Sequence, residues 1–249
     1  MNDIKTIDEL SNIKVKDIVT INYKTAEVLE KYKIDFCCNG NISLDEVLRD
    51  KKSDKQKIVD ELLSVIKNET VKSENFNDWG ILELINYIVE VHHKYVLEAV
   101  PRISSFLDKV VEKHGSKYQY LTEIKLLFNQ LSKELENHMM KEERILFPYM
   151  KYLVECQKFN EKPKTSGFGS INNPIRQMEV EHDSAGNILH KLRYLTNDYR
   201  LPDDACTTFS LAYEEIKEFE KDLHKHIHLE NYILFPKSVE LEENLLKQN

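Results

Sequence analysis

The chain has 249 residues, a net charge of −8 (35 Lys and Arg against 43 Asp and Glu) and a 41% hydrophobic content, enough for one large domain or for a small one beside a medium one. The acidic balance argues against nucleic acid or an anionic membrane as the main partner. No stretch approaches the roughly 18 uninterrupted apolar residues of a membrane span, and MNDIKTIDELSNIKVKD carries charge throughout where a secretory signal would be apolar, so the expected location is cytoplasmic.

Six glycines and six prolines disfavour a fold of strands and turns. The four cysteines, Cys37, Cys38, Cys156 and Cys206, are too few for a disulfide framework, and two of them are adjacent.

Residues 1–66 read as a small helical domain. TAEVLEKYKI (25–34) has the pattern of an amphipathic helix, and DFCCNGN interrupts it. SLDEVLRD restarts a helix, with Ser43 as N-cap and Glu46 closing a capping box; KSDKQKIVDELLSVIK forms another. The polar stretch 67–78, KNETVKSENFND, has almost no apolar periodicity and is the expected linker.

From Trp79 to residue 249 four long helical patterns follow. The first runs from about residue 79 to His114, with Gly115 as its expected C-terminal cap. It offers two phases, one through His92 and one through His93. The other three keep 3-4 spacing, the signature of a bundle core. One stripe is Leu121, Ile124, Phe128, Leu131, Leu135, His138, Glu142, Ile145 and Tyr149. The next is Ile175, Met178, His182, Ala185, Leu189 and Leu192, and the last is Phe209, Ala212, Ile216, Phe219, Leu223, His226, Glu230 and Ile233. The loop KPKTSGFGSINNP (162–174) divides the four into two helical hairpins.

Each hairpin ends in the same phrase. HMMKEERILFP (138–148) and HIHLENYILFP (226–236) share H-x-x-x-E-x-x-I-L-F-P, 88 residues apart (226 − 138). His93 precedes His138 by 45 residues and His182 precedes His226 by 44, so the bundle reads as a duplicated hairpin. A His and a Glu four apart share one helical face and can address one point. Because a carboxylate alone in a core costs several kcal/mol, Glu142 and Glu230 require a partner there. Four imidazoles and two carboxylates, the latter able to bridge, suit a dinuclear non-haem iron centre inside a bundle.

Other histidines fit less well. His224 and His228 flank His226 and are expected on the surface, and His190 is two turns from His182. His114 lies 21 residues past His93, about 30 Å along a continuous helix, too far for the same metal. Pro148 and Pro236 are expected to kink their helices. Glu134, one turn before His138, and Glu181, beside His182, could accept an imidazole N–H or relay protons; surface glutamates are the equal alternative. The Cys37–Cys38 pair, in a turn before a helix, reads either as a reactive thiol site or as two buried structural residues. Cys156 and Cys206 read as structural.

Taken together, HMMKEERILFP, EHDSAG (181–186), LPDDACTTF (201–209), DLHKHIHLENYILFP (222–236) and KYKIDFCCNGN (31–41) resemble the iron–sulfur cluster repair di-iron proteins over nearly the whole chain. The resemblance implies an all-α fold, a hemerythrin-like up-down four-helix bundle (79–249) preceded by a small helical N-terminal domain (1–66). It implies two non-haem iron ions held by His93, His138, Glu142, His182, His226 and Glu230. The resemblance also implies His93 over His92, because the family's ligand stands eight residues before a proline, here Pro101. It draws attention to Cys37, Cys38, Glu134 and Glu181 as functional residues. It implies restoration of clusters damaged by nitric oxide or peroxide, with iron donated to damaged iron–sulfur proteins and with nitric oxide or oxygen species as small ligands. A homodimer is compatible with this reading. The competing functions are a nitric oxide reductase and a hemerythrin-type oxygen or nitric oxide binder. Oxygen carriers resemble a five-His set with a second His one turn along the third helix, where this chain has Gly186.

Overall fold

The structure, a computed structural model, describes residues 7–37, 40–49, 54–67 and 75–247; Cys38 and residues 68–74 of the expected linker lie outside the described residues. The chain is all-α. Among the described residues the only extended pairings are two isolated bridges, Lys14 with Ser43 and Ser166 with Gly169. Also among them, no helix is long and apolar enough to cross a membrane. Two compact units are present: residues 1–80 with 227–236, and residues 81–226 with 237–249.

The first unit contains α1 (Ile7–Ser11), α2 (Val15–Ile21), α3 (Thr25–Lys31), α4 (Leu44–Leu48) and α5 (Lys55–Lys67). Ser43 caps α4, its hydroxyl accepting from the Glu46 N–H at 3.3 Å. Leu10, Val15, Ile18, Leu29, Leu44, Leu48, Ile58 and Leu62 are fully buried, each contributing about 1.5–3 kcal/mol of apolar burial. The helix expected over 25–34 stops at Lys31, because Lys33 turns left-handed (φ 55°). The Ile34 N–H then donates back to the Leu29 carbonyl at 2.8 Å, which satisfies the helix end.

Residues 40–42 are pinned against the start of α2. The Lys16 N–H donates to the Gly40 carbonyl and the Val15 N–H to the Ile42 carbonyl, both at 3.0 Å. A β-carbon on residue 40 would stand 2.3 Å from the Phe36 carbonyl oxygen and 2.8 Å from the Lys16 Cβ. Both contacts are impossible for a real side chain, so the close approach demands glycine.

The second unit is built from four helical arms. The first is α6 (Ile81–Tyr87), a π-helical stretch (Ile88–His93) and α7 (Lys94–His114). The second is α8 (Tyr120–Lys141), a π-helical stretch (Glu142–Leu146) and α9 (Phe147–Phe159). The third is α10 (Asn172–Leu195), and the fourth joins α11 (Thr207–Leu229), a π-helical stretch (Glu230–Leu234) and α12 (Phe235–Lys247). The fourth arm also supplies residues 227–236 of the first unit. α7 packs on α8, α6 on α9 and α8 on α10, so successive arms run up and down. α7 continues through Pro101. Gly115 has φ −62°, so α7 ends without the left-handed cap expected of it.

Each π-helical stretch is marked by a backbone bond one residue longer than in an α-helix: Lys94 N–H to Val89 carbonyl, Phe147 N–H to Glu142 carbonyl, Phe235 N–H to Glu230 carbonyl. One extra residue per turn shifts the helical phase. The apolar stripe of the second arm is buried as far as Glu142, but Ile145 is 49% exposed and Leu146, at 1%, takes its place. Pro148 and Pro236 each follow the residue that closes such a stretch. Their missing N–H is absorbed where the ladder is already interrupted, and the helix continues.

Two buried carboxylates fasten the connections. Glu220 accepts from Arg193 (2.6 and 3.0 Å) and from the Tyr199 hydroxyl (2.9 Å). This holds the turn after α10, where Asn197, Asp198 and Tyr199 are all left-handed, at about 1–2 kcal/mol per residue. Glu242 on α12 accepts from the Tyr149 hydroxyl (2.9 Å), the Ser170 hydroxyl (2.7 Å) and the Ile171 N–H (3.0 Å). It thereby anchors the loop leading into α10.

Replacing Gly40 by Ala should destabilise the first unit by about 1–3 kcal/mol, because backbone and the stem of Lys16 must move to admit the methyl group. Amide hydrogen exchange is the measurement: protection should fall across residues 15–48 and stay unchanged across α8 and α10.

Candidate metal centre

The middle of the bundle collects the titratable residues of the apolar stripes. His93 ends the first π-helical stretch, Glu142 and Glu230 begin the other two, and His138, His182 and His226 lie on α8, α10 and α11. All six are buried, with Glu142 and Glu230 at 0% exposure. They fall into two overlapping groups, His93–Glu142–His226–Glu230 and His138–Glu142–His182–Glu230. Within each group one potential ligand atom per residue lies within 4.8 Å of every other. Both carboxylates belong to both groups.

Hydrogen bonding on the outer side of two rings fixes their tautomers. His138 Nδ1 lies 2.9 Å from Glu181 Oε2, and His93 Nδ1 lies 2.7 Å from Glu143 Oε1. A carboxylate can only accept, so each Nδ1 carries a proton, and in the neutral ring each Nε2 presents its lone pair inward. Those lone pairs face further acceptors: His138 Nε2 is 3.2 Å from Glu142 Oε1, and His93 Nε2 is 3.3 Å from Glu142 Oε2. His182 Nε2 comes within 3.0 Å of His138 Nε2. Convergent lone pairs beside two buried carboxylates repel one another unless positive charge lies between them, so the donor set fits a cation. Imidazole nitrogen with carboxylate oxygen is the chemistry of a borderline transition metal.

The glutamates named from the sequence divide. Glu181 binds His138 and also accepts from Lys141 and from Gln177 (2.8 Å). The His138 hydrogen bond above all, then Lys141 and Gln177, holds its carboxyl down at about 2. Glu134 touches no imidazole; it accepts from Gln130 (2.9 Å) and from Ser184 (3.0 Å). Glu143, which holds His93, was not singled out in the sequence. It follows Glu142 directly, and the second copy of the phrase has Asn231 there, so the repeat itself pointed away from it.

His92 and His93 are both buried, but they face different partners. His92 Nδ1 lies 2.9 Å from Asp222 Oδ1, and its ring stacks on His226 at 5.5 Å. It belongs to neither group. His228 corrects the expectation of a surface residue. It is fully buried in the first unit among Tyr23, Phe36 and Tyr232, with ring centroids 6.0, 5.8 and 5.3 Å away. Burial, then the charge of Lys16, pushes its imidazole down to about 3, so it is neutral at physiological pH. His224 is half-buried, His190 is exposed and His114 lies at the end of α7, all outside the two groups.

Cys37 is buried. Its N–H and its thiol both face Asp35 Oδ1, at 3.0 and 3.5 Å, and its carbonyl accepts from the Tyr232 hydroxyl at 2.6 Å. Tyr232 is two residues beyond Glu230.

Residues 84–238 match the family model described as the hemerythrin HHE cation binding domain. Residues 11–66 match one described as a domain of unknown function, DUF542. The iron–sulfur cluster repair protein ScdA of Staphylococcus haemolyticus is 31% identical over 223 residues, 90% of this chain and 96% of the relative. The chain belongs to the iron–sulfur cluster repair protein family. A probable iron–sulfur cluster repair protein of Haemophilus influenzae is 32% identical over 85% of this chain and 89% of its own length. The iron–sulfur cluster repair protein YtfE of Citrobacter koseri is 33% identical over 87% of this chain and 91% of its own length. The bundle of this family member is thus a hemerythrin-like, cation-binding one, and its buried His and Glu cluster is where a metal ion could sit.

Glu181→Gln should weaken cation binding about 10- to 100-fold, because an amide placed against His138 no longer compels the proton onto Nδ1. Glu134→Gln should change it less than about threefold, since that side chain meets only Gln130 and Ser184. Competition against a chelator of known affinity measures both.

Proposed function

We propose that the chain is a di-iron protein that restores damaged iron–sulfur clusters, donating iron from a carboxylate-bridged pair of ions. The observation that carries this reading is the sharing of Glu142 and Glu230 by both donor groups. Two carboxylates common to two groups of four suit bridging, with His93 and His226 beside one ion and His138 and His182 beside the other. The names of the relatives support the assignment to cluster repair, and the clients in this reading are proteins whose clusters nitric oxide or oxygen species have damaged.

Bound iron would supply an exchangeable, redox-active ion with positions open to such small ligands. The protein's own part is to fix geometry and charge. Glu143 and Glu181 orient His93 and His138 and hold a proton on each Nδ1, which leaves Nε2 as the atom turned toward the site. Glu142 and Glu230 offset the cationic charge in a site closed to water. Cys37 and Cys38 serve in this reading as the acceptor or gate of the small domain, residues 1–66. The Tyr232 hydrogen bond to the Cys37 carbonyl ties Cys37 to the helix segment bearing Glu230.

The purified protein should carry about two irons per chain, and Glu142→Leu should lose most of the iron while keeping helical content, since an apolar residue suits that core position. Cys37→Ser/Cys38→Ser should retain the iron yet slow restoration of a nitric oxide-damaged cluster protein. Iron-loaded protein that restores no cluster, but consumes nitric oxide with an electron donor, would replace this reading with a reductase.

A further inference from the structure

A second group of reactive side chains lies far from the metal centre. Cys206 Sγ is 3.2 Å from His114 Nε2. His114 is in the last turn of α7, 21 residues beyond His93, and Cys206 precedes α11, 20 residues before His226. At 1.5 Å per residue each is roughly 30 Å along its helix from the centre. Nothing in the metal reading uses either residue.

The pair is arranged for thiol chemistry. Cys206 is partly exposed, whereas Cys37 and Cys156 are buried. The His114 ring packs against Phe209, with centroids 5.4 Å apart, which directs its Nε2 at the sulfur. Cys206 also sits where α11 begins: its carbonyl accepts from the Phe209 and Ser210 N–H groups. Unpaired N–H groups at such an end favour a negative sulfur. The charged neighbours are Lys113 on α7, the Lys117–Asp204 pair at 2.5 Å, and Tyr118, whose hydroxyl binds Asp204. The imidazole hydrogen bond first, then the Phe209 N–H, holds the thiol down to about 7.

We propose that Cys206 and His114 form a thiol–imidazole modification site at which Cys206 takes up a low-molecular-weight disulfide as a reversible mixed disulfide. The thiol proton passes to His114 Nε2, and the thiolate attacks one sulfur of the disulfide. The new Cys206–S bond forms as the old S–S bond breaks, and the departing thiolate takes the proton from His114 or from water. The disulfide is the oxidant, and one of its sulfurs leaves reduced. Excess thiol reverses the exchange. The site would let the protein register the thiol–disulfide balance of its surroundings without touching the metal centre.

The test is the pH dependence of Cys206 modification by glutathione disulfide in the iron-loaded, full-length protein, followed by peptide mapping so that each cysteine is read separately. Wild type should show a midpoint near 7. His114→Gln should move it toward the ordinary thiol value of about 8.5. A lower pKa gives more thiolate but a weaker nucleophile, so the two rate profiles should cross. The variant should react about sixfold slower at pH 6 and about threefold faster at pH 9. A merely structural histidine would not produce a crossing. A wild-type midpoint near 8.5, or identical profiles for the two proteins, would overturn the proposal. If His114→Gln does not fold, the wild-type midpoint alone decides, with Cys206→Ser confirming the assignment by losing the signal.

Discussion

Two carboxylates closed off from water, Glu142 and Glu230, impose the condition that the centre of the bundle must satisfy. Two charges so placed cost several kcal/mol each unless positive charge accompanies them. Glu143 and Glu181 hold a proton on Nδ1 of His93 and His138 and so turn Nε2 of each ring toward the two carboxylates. A cation held between the carboxylates and these nitrogens would supply it. The same condition explains why His138 and Glu142, His182, and His226 and Glu230 interrupt the three apolar stripes at one level. It also explains why two further carboxylates stand just behind the rings, where they set proton positions without adding to the charge inside.

The helices accommodate this level by changing their winding. Among the described residues, π-helical stretches occur at Ile88–His93, Glu142–Leu146 and Glu230–Leu234, each including or beginning at a residue of the cluster. This marks the limit of what periodicity could reveal. The 3-4 spacing found the four arms, the antiparallel hairpins and the burial of every stripe residue from Leu121 to Glu142. It assumed a constant pitch, so it carried the stripe on to Ile145, which the extra residue rotates into solvent. The duplicated phrase likewise picked out His138, Glu142, His226 and Glu230, which the fold gathers. It could not show Glu143, because a partner needed by only one copy leaves no trace in a repeat. Helix phase also left His92 and His93 equal, since both lie in a π-helical stretch and both are buried.

The small unit was less legible, for a different reason. Its helices are five to seven residues long apart from α5, too short for apolar periodicity to rise above chance. The Ser43 cap was readable because one side chain and one backbone N–H define it. α1 and α2 were not, since tertiary burial of Leu10, Val15 and Ile18 holds them in place. His228 belongs here too. Its position beside His226 suggested a solvent-facing ring, but residues 227–236 belong to this unit, and Tyr23 and Phe36 cover it.

Glu242 ties the order of synthesis to the order of folding. The N–H of Ile171, at the entry to α10, is capped by a carboxylate 71 positions downstream. On a ribosome α10 emerges first and must wait, its entry loop unfastened, until α12 follows. The first hairpin, whose α7 and α8 pack together directly, can close early. The same carboxylate also takes the Tyr149 hydroxyl of the first hairpin, so both halves of the bundle are fastened by α12, which follows them in the chain.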